Sequence, residues 1–191
     1  MKHFIHQTAV TILLIVSATI FARKATAQSE ESKSAEVARP DAELTEIPEG
    51  YRDWKLISVA REEGKQDDIR AVLGNDIAIK AYREGALPFP DGAIIARIAW
   101  ALVPSEENNK AFGQAQSHVA GSPKNGIQFM FKDSKKYAAT GGWGYAQFGE
   151  ADGKPLTDKA KLAACYTCHQ PAAARDFVFT RYSLGGLAGQ K

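Results

Sequence analysis

The residues best suited to chemistry form one run near the C-terminus, Cys165-Tyr166-Thr167-Cys168-His169. The run contains both cysteines of the chain and one of its four histidines. On a helix, two cysteines three residues apart lie on one side, where their sulfurs can add to the two vinyl groups of one porphyrin. The histidine that follows can supply an imidazole nitrogen to the iron. The pattern predicts one covalently attached haem c per chain, held by Cys165 and Cys168, with His169 as the iron ligand.

The alternative for the two cysteines is a redox-active or structural C-x-x-C pair, which would also suit an exported protein. That interpretation leaves His169 unexplained, and the flanking sequence lacks the βαβ pattern in which such pairs usually occur. Haem attachment accounts for all three residues. It would also leave no cysteine for a disulfide within the chain.

The N-terminal residues have the pattern of a signal peptide. Lys2 precedes an apolar run at residues 10–21, and Ala25, Thr26 and Ala27 match a small-x-small cleavage site. The apolar run has about 12 residues, whereas a membrane-spanning helix needs about 20. An uncleaved membrane anchor is the alternative. We expect cleavage after Ala27 and export to the bacterial periplasm, where covalent haem attachment takes place.

Charge and composition describe the exported chain. Removal of residues 1–27 lowers Lys+Arg from 24 to 21 and leaves Asp+Glu at 22, so the net charge becomes about −1. Nothing in this balance predicts nucleic acid or an anionic membrane as a partner. Residues 28–49 are polar and without an apolar period, which predicts a flexible leader. The remainder predicts one haem domain at residues 50–185 and a tail at 186–191.

The apolar patterns predict six strands, at residues 54–60, 69–73, 92–103, 127–131, 143–148 and 176–182. Asn75 is predicted to cap a helix that ends at Glu84, with Gly85 just past its end. Thr157 is predicted to cap a second helix that ends at His169. Residues 105–122 are polar and predict a long loop, and residues 134–139 predict a single helical turn. This succession predicts an α+β fold with a mainly antiparallel sheet.

Side-chain alternation divides two of these strands into faces. Arg97 shares a face with Ile95. Two interpretations of its side chain are open: a pocket residue that pairs with a haem propionate or polar ligand, or an edge-strand arginine that reaches water. In the next strand Gln128 points away from Phe129 and Phe131. We expect both phenylalanines to be sheet core rather than a lid over the haem.

Five further features of the sequence form one recognisable set. They are Asp91-Gly92, the run from Lys132 to Tyr137, Gly141-Gly142-Trp143-Gly144, the C-x-x-C-H block with Pro171, and the run from Arg175 to Tyr182. With these residues the chain resembles, over roughly residues 51–182, the cytochrome P-460 family of exported mono-haem proteins. The resemblance implies a mainly antiparallel sheet packed on the haem, usually in a homodimer, with His169 as the proximal ligand. The family includes the cytochromes c′-beta, which share the fold but bind gases rather than oxidise substrate.

Two positions depart from the hydroxylamine-oxidising members of that family. Those enzymes carry a lysine bonded to a haem meso carbon, and the matching residue here is Arg97, whose protonated guanidinium is a poor nucleophile. They can also carry a carboxylate that accepts protons from substrate. The matching residue here is Gln128, whose amide can bond a ligand but cannot take up a proton near neutral pH. Lys80 is the alternative for the cross-link if the match is shifted.

The iron is predicted to be five-coordinate. His118 and Met130 are the remaining candidates for a sixth ligand, but a histidine in a polar loop is usually solvated and a methionine in an apolar strand usually fills the core. Trp143 and Tyr145 are candidates to pack on the porphyrin.

Three functions are compatible with a single haem c. We predict redox chemistry on small nitrogen compounds such as hydroxylamine or nitric oxide, with Arg97 and Gln128 in the pocket. The expected partners are this ligand or substrate, a periplasmic electron acceptor and a second copy of the chain. The alternatives are binding of nitric oxide or carbon monoxide without turnover, and simple electron transfer, which would require a sixth protein ligand.

Overall fold

The fold is taken from a computed structural model that describes residues 44–183. The predicted signal peptide, most of the predicted leader and the predicted tail lie outside these residues. Within the described part, no helix combines the length and apolar character needed to cross a membrane.

Five strands form one antiparallel sheet in which each strand pairs with the next along the chain. Residues 44–183 therefore have the predicted α+β fold with an antiparallel sheet. The strands are β1 (Lys55–Glu62), β2 (Asp68–Gly74), β3 (Ile94–Pro104), β4 (His118–Lys132) and β5 (Trp143–Phe148).

Three α-helices accompany the described sheet: α1 (Asp76–Glu84), α2 (Glu106–Phe112) and α3 (Lys159–His169). The first was predicted with its caps, since the Asn75 side chain accepts from Ala78 N and Gly85 ends the helix at φ 64°. Helix α3 begins one residue later than predicted, because the Asp158 carboxylate caps it. A 3-10 helix, Gln170–Arg175, follows directly.

The predicted loop at residues 105–122 is wrong. Ser105 caps α2 by accepting from Asn108 N, and β4 already begins at His118. The first residues of β4 pair with the far end of β3, so that His118 lies opposite Pro104. Their composition is polar because this part of the hairpin is exposed, and ladder bonds hold it instead of apolar packing.

The predicted sixth strand at residues 176–182 is also wrong. Asp176 and Phe177 have φ values of 52° and 64°, which lie in the left-handed region and cannot belong to a strand. The segment instead runs past the sheet and contacts β1, where Ser183 N donates to Ile57 O at 3.0 Å. The predicted helical turn at 134–139 overlaps a 3-10 helix at Ala138–Thr140.

The sheet has a hydrophobic cluster on each face. Ile95 and Met130 pack with residues of α1 on one face. Phe129 and Phe131 pack on the other face with Tyr51, as predicted for sheet core. Leu44 and Ile47, from the end of the predicted leader, pack against this second cluster.

Candidate haem site

Helix α3 presents both cysteines. Cys165 is half-buried, Cys168 is exposed, and both thiols are free. Burial raises the pKa of Cys165, and the neighbouring Cys168 adds to this. Reactive C-x-x-C pairs depend instead on a lowered thiol pKa, so the structure does not favour the redox alternative. None of the residues of α3 is buried, which leaves this helix free to cover a bound group.

His169 ends α3 with its ring held in one orientation. Its Nδ1 lies 2.7 Å from the carbonyl oxygen of Phe177, and a carbonyl can only accept, so Nδ1 carries the proton. The lone pair therefore resides on Nε2, the arrangement found in metal-bound histidines. Burial lowers the pKa of His169, although the bond to Phe177 opposes the shift. The result is a neutral imidazole suited to bind iron.

A cavity of about 130 Å³ lies between α3, the C-terminal segment and the sheet. Cys165 and His169 line it on the helix side, and Arg97 and Gln128 line it on the sheet side. The structure thus brings four of the five predicted site residues to one cavity. The fifth, Cys168, does not line it and is exposed near the end of the same helix. Apolar side chains form most of the remaining wall: Val72, Ile95, Met130, Val178 and Phe179.

A polar network crosses the sheet beneath this cavity. Asp68 is fully buried and accepts from Arg70 Nε at 2.7 Å and from Arg97 Nη2. Arg97 Nη1 donates to Gln128 Oε1 at 2.9 Å, and Gln128 Nε2 donates to Gln147 Oε1 at 3.2 Å. The register places Arg97 directly opposite Gln128, and Gln128 opposite Gln147.

The network decides where the Arg97 side chain lies. Strand β3 is interior to the sheet, so the edge-strand interpretation of Arg97 is wrong. Burial and the charge of Arg70 lower the pKa of Arg97, and Asp68 opposes both. Asp68, Arg70 and Gln147 were not predicted as site residues, since no local pattern separates them from ordinary polar residues of a strand.

Two of the remaining predicted candidates, Tyr145 and Met130, lie at the cavity. Tyr145 lines the cavity with its ring 5.4 Å from that of His169. Its hydroxyl is buried without a hydrogen-bond partner among the described residues, and burial raises its pKa. Met130 also lines the cavity.

Three candidates do not reach the cavity. Trp143 is fully buried against Phe89, with ring centroids 5.6 Å apart. It does not line the cavity, so the structure does not place it where it could pack on the porphyrin. His118 at the start of β4 and Lys80 on α1 are both exposed.

A C-x-x-C-H helix that borders a cavity places this chain in the class of c-type haem proteins, here with the cavity against an antiparallel sheet. The chain belongs to the cytochrome P460 family, whose description, Cytochrome P460, it matches over residues 48–180. Proteins of this family bind haem c with iron, so haem c is the cofactor. A search of curated proteins found no match to this chain. The free thiols, the oriented imidazole and the adjoining apolar cavity fit this cofactor.

Proposed function

We propose that Cys165 and Cys168 hold the haem through thioether bonds and that His169 Nε2 binds its iron, in an exported protein that acts on small nitrogen compounds. The observation that carries this proposal is the cavity shared by His169, Arg97 and Gln128. When bound, the haem iron would supply the redox centre and the coordination position for such a compound.

The polar part of the cavity wall favours ligands that accept hydrogen bonds. Arg97 has only N–H groups, and the side-chain oxygen of Gln128 is already occupied by Arg97. Asp68 accepts from both arginines and does not line the cavity. Arg70 and Arg97 are balanced by Asp68 and by Glu62, which lies 3.7 Å from Arg70, so the N–H donors of the wall rather than a net charge favour such ligands.

Hydroxylamine oxidation needs a group that takes up protons, and none of the described residues that line the cavity is an Asp or Glu. Tyr145 stays a neutral phenol because burial raises its pKa. We therefore propose nitric oxide or a related nitrogen oxide as the main ligand, with slow redox chemistry and little hydroxylamine turnover.

Gas binding without turnover is the second candidate. The apolar majority of the wall, which includes Val72, Ile95 and Met130, favours it. Simple electron transfer would need Met130 as a sixth ligand, since His118 does not line the cavity. We further propose a periplasmic location, a periplasmic electron acceptor and a homodimer, as the family resemblance implies.

The test of function is the absorption spectrum of the purified, reduced holoprotein before and after addition of nitric oxide or hydroxylamine. We expect a five-coordinate c-type spectrum that shifts with nitric oxide and shows little hydroxylamine turnover. A red-shifted, broadened Soret band with rapid turnover would indicate a cross-linked oxidase and contradict the proposal. A six-coordinate spectrum that responds to neither compound would indicate an electron carrier.

The attachment residues have a separate test. Replacing Cys165→Ala or Cys168→Ala removes one of the two sulfurs, so the amount of haem that stays with the protein on a denaturing gel should fall. Thr167→Ala is the matched control, because this residue lies between the cysteines and supplies no sulfur. Full retention of haem in both cysteine variants would disprove thioether attachment at these positions.

A further inference from the structure

A buried ion pair joins the end of β4 to the segment that follows His169. Lys132 Nζ lies 2.7 Å from Asp176 Oδ1 and 2.9 Å from Oδ2, and both side chains are less than a tenth exposed. Lys132 also donates to Gly141 O at 3.0 Å, and Asp176 Oδ2 accepts from Phe89 N at 2.8 Å. Desolvating two charges is costly, and such a pair is retained only where its hydrogen bonds are satisfied, as here.

The pair holds an unusual stretch of backbone. Asp176 and Phe177 both have positive φ, at 52° and 64°, a conformation that is rare for a bulky residue such as Phe177. The Asp176 carboxylate is anchored by Lys132, and the Asp176 carbonyl accepts from Trp143 Nε1 at 2.8 Å. The side chain and the backbone carbonyl of Asp176 are therefore both hydrogen-bonded to residues of the sheet.

The consequence appears one residue further on, at the Phe177 carbonyl. This strained conformation directs its oxygen to His169 Nδ1 at 2.7 Å. The acceptor of this hydrogen bond is a backbone carbonyl, so no side chain of Phe177 sets its position. The position depends instead on the groups that hold the preceding residue, Asp176.

The same contacts bring together three segments that are distant in the sequence. Asp133 N, which follows Lys132, donates to Gly142 O at 2.9 Å, and Gly141 and Gly142 precede Trp143. Gly141 has φ 68°, and a Cβ there would overlap the Phe177 ring. The Lys132 region, the Gly-Gly-Trp run and the residues after the haem motif thus form one support for the His169 ring.

We propose that Lys132 and Asp176 are positioning residues for the axial ligand: their ion pair holds the Phe177 carbonyl against His169 Nδ1. A hydrogen bond from Nδ1 increases the basicity of the imidazole and stabilises the ferric state. The ion pair thereby strengthens the bond between His169 and iron and lowers the reduction potential. This inference rests on the proposed role of His169 as axial ligand.

The test is Asp176→Asn in the holoprotein. Asparagine tolerates positive φ and can still accept from Phe89 N, so the variant removes chiefly the charge that pairs with Lys132. We expect a lower iron–histidine stretching frequency in the resonance Raman spectrum of the reduced protein, and a more positive reduction potential. Lys161→Met is the control, because its pair with Asp158 is exposed, with 3.9 Å between the charged atoms, and neither value should change.

A second variant keeps the inference testable if Asp176→Asn does not fold. Lys132→Gln removes the charge of the pair from its other side, while the amide can still donate to Gly141 O, so a shift in the same direction is expected. Unchanged frequency and potential in the variant that folds would overturn the inference. Absence of any iron–histidine mode in the unmodified protein would instead overturn the role of His169, so the two failures are distinguishable.

Discussion

Burial decides the protonation of single side chains around the haem cavity. It lowers the pKa of His169 and raises the pKa values of Cys165 and Tyr145. In each case the neutral form is favoured, because a partly desolvated site disfavours charge. A neutral imidazole is the form that binds iron, and the neutral Cys165 thiol is less prone to unwanted oxidation before haem attachment.

Tyr145→Phe should change the free energy of unfolding at neutral pH by less than about 1 kcal/mol, since the hydroxyl has no partner within residues 44–183. The raised folded pKa means that its contribution to stability is present below pH about 10 and declines as the pH rises above that value. The variant should therefore lose less stability in alkali. Denaturant unfolding across pH measures both effects.

Tyr82→Phe is the comparison. The Tyr82 hydroxyl donates to Thr180 O at 3.2 Å, so its loss should cost about 1 kcal/mol at neutral pH. Burial also raises the Tyr82 pKa, so the free energy of unfolding of this variant should likewise fall less steeply at alkaline pH. A Tyr145→Phe loss larger than that of Tyr82→Phe would show that the Tyr145 hydroxyl has a partner in the holoprotein.

At the scale of elements, the start of α1 determines how β3 enters the sheet. Asn75 Oδ1 accepts from Ala78 N and from Ile94 N, each at 3.0 Å, and Asn75 Nδ2 donates to Gly92 O at 2.8 Å. One buried side chain thus caps the helix and holds the first residue of β3. Strand β3 carries Arg97, so this cap also supports the cavity.

Asn75→Ala should lower the free energy of unfolding by about 3 kcal/mol, more than the roughly 1 kcal/mol of an ordinary cap, because buried backbone groups lose their partners. Ser105→Ala is the matched control, since Ser105 caps α2 near the surface through a single bond. It should cost about 1 kcal/mol or less. Equal losses, measured by denaturant unfolding, would contradict the linking role of Asn75.

At the scale of the whole described domain, one charge network joins four strands. It runs from Asp68 on β2 through Arg97 and Gln128 to Gln147 on β5. Removal of one partner from a buried ionic group leaves the other charges uncompensated. The stability of the network therefore depends most on Asp68, its buried carboxylate.

Asp68→Asn should lower the free energy of unfolding by about 3 kcal/mol or more, because Arg70 and Arg97 lose their buried counter-charge. The neighbouring Asp67→Asn is the control. Asp67 pairs with Arg61 at 2.6 Å but is largely exposed, so water and salt screen the pair and the loss should be much smaller. If the two variants unfold at the same denaturant concentration, Asp68 does not organise the network.

Local sequence was sufficient for the features that depend on near neighbours. The C-x-x-C-H run predicted the haem because its spacing is set within one helical turn. Asn75 and Gly85 predicted both ends of α1 because caps are local hydrogen-bonding motifs. Strict alternation predicted that Gln128 faces away from Phe129 and Phe131, and that Arg97 shares a face with Ile95.

Tertiary structure decided the features that depend on distant pairing. Pairing of β2 with β3 brought Asp68 to Arg97. Pairing with β3 also extended β4 back to His118, into the last part of the predicted loop. The aromatic run after the haem motif looked like a strand, but its Asp176 carboxylate binds Lys132, 44 residues away. These contacts form only when separate segments meet in the folded chain. The interactions that stabilise them therefore cannot be inferred from any short stretch of the sequence.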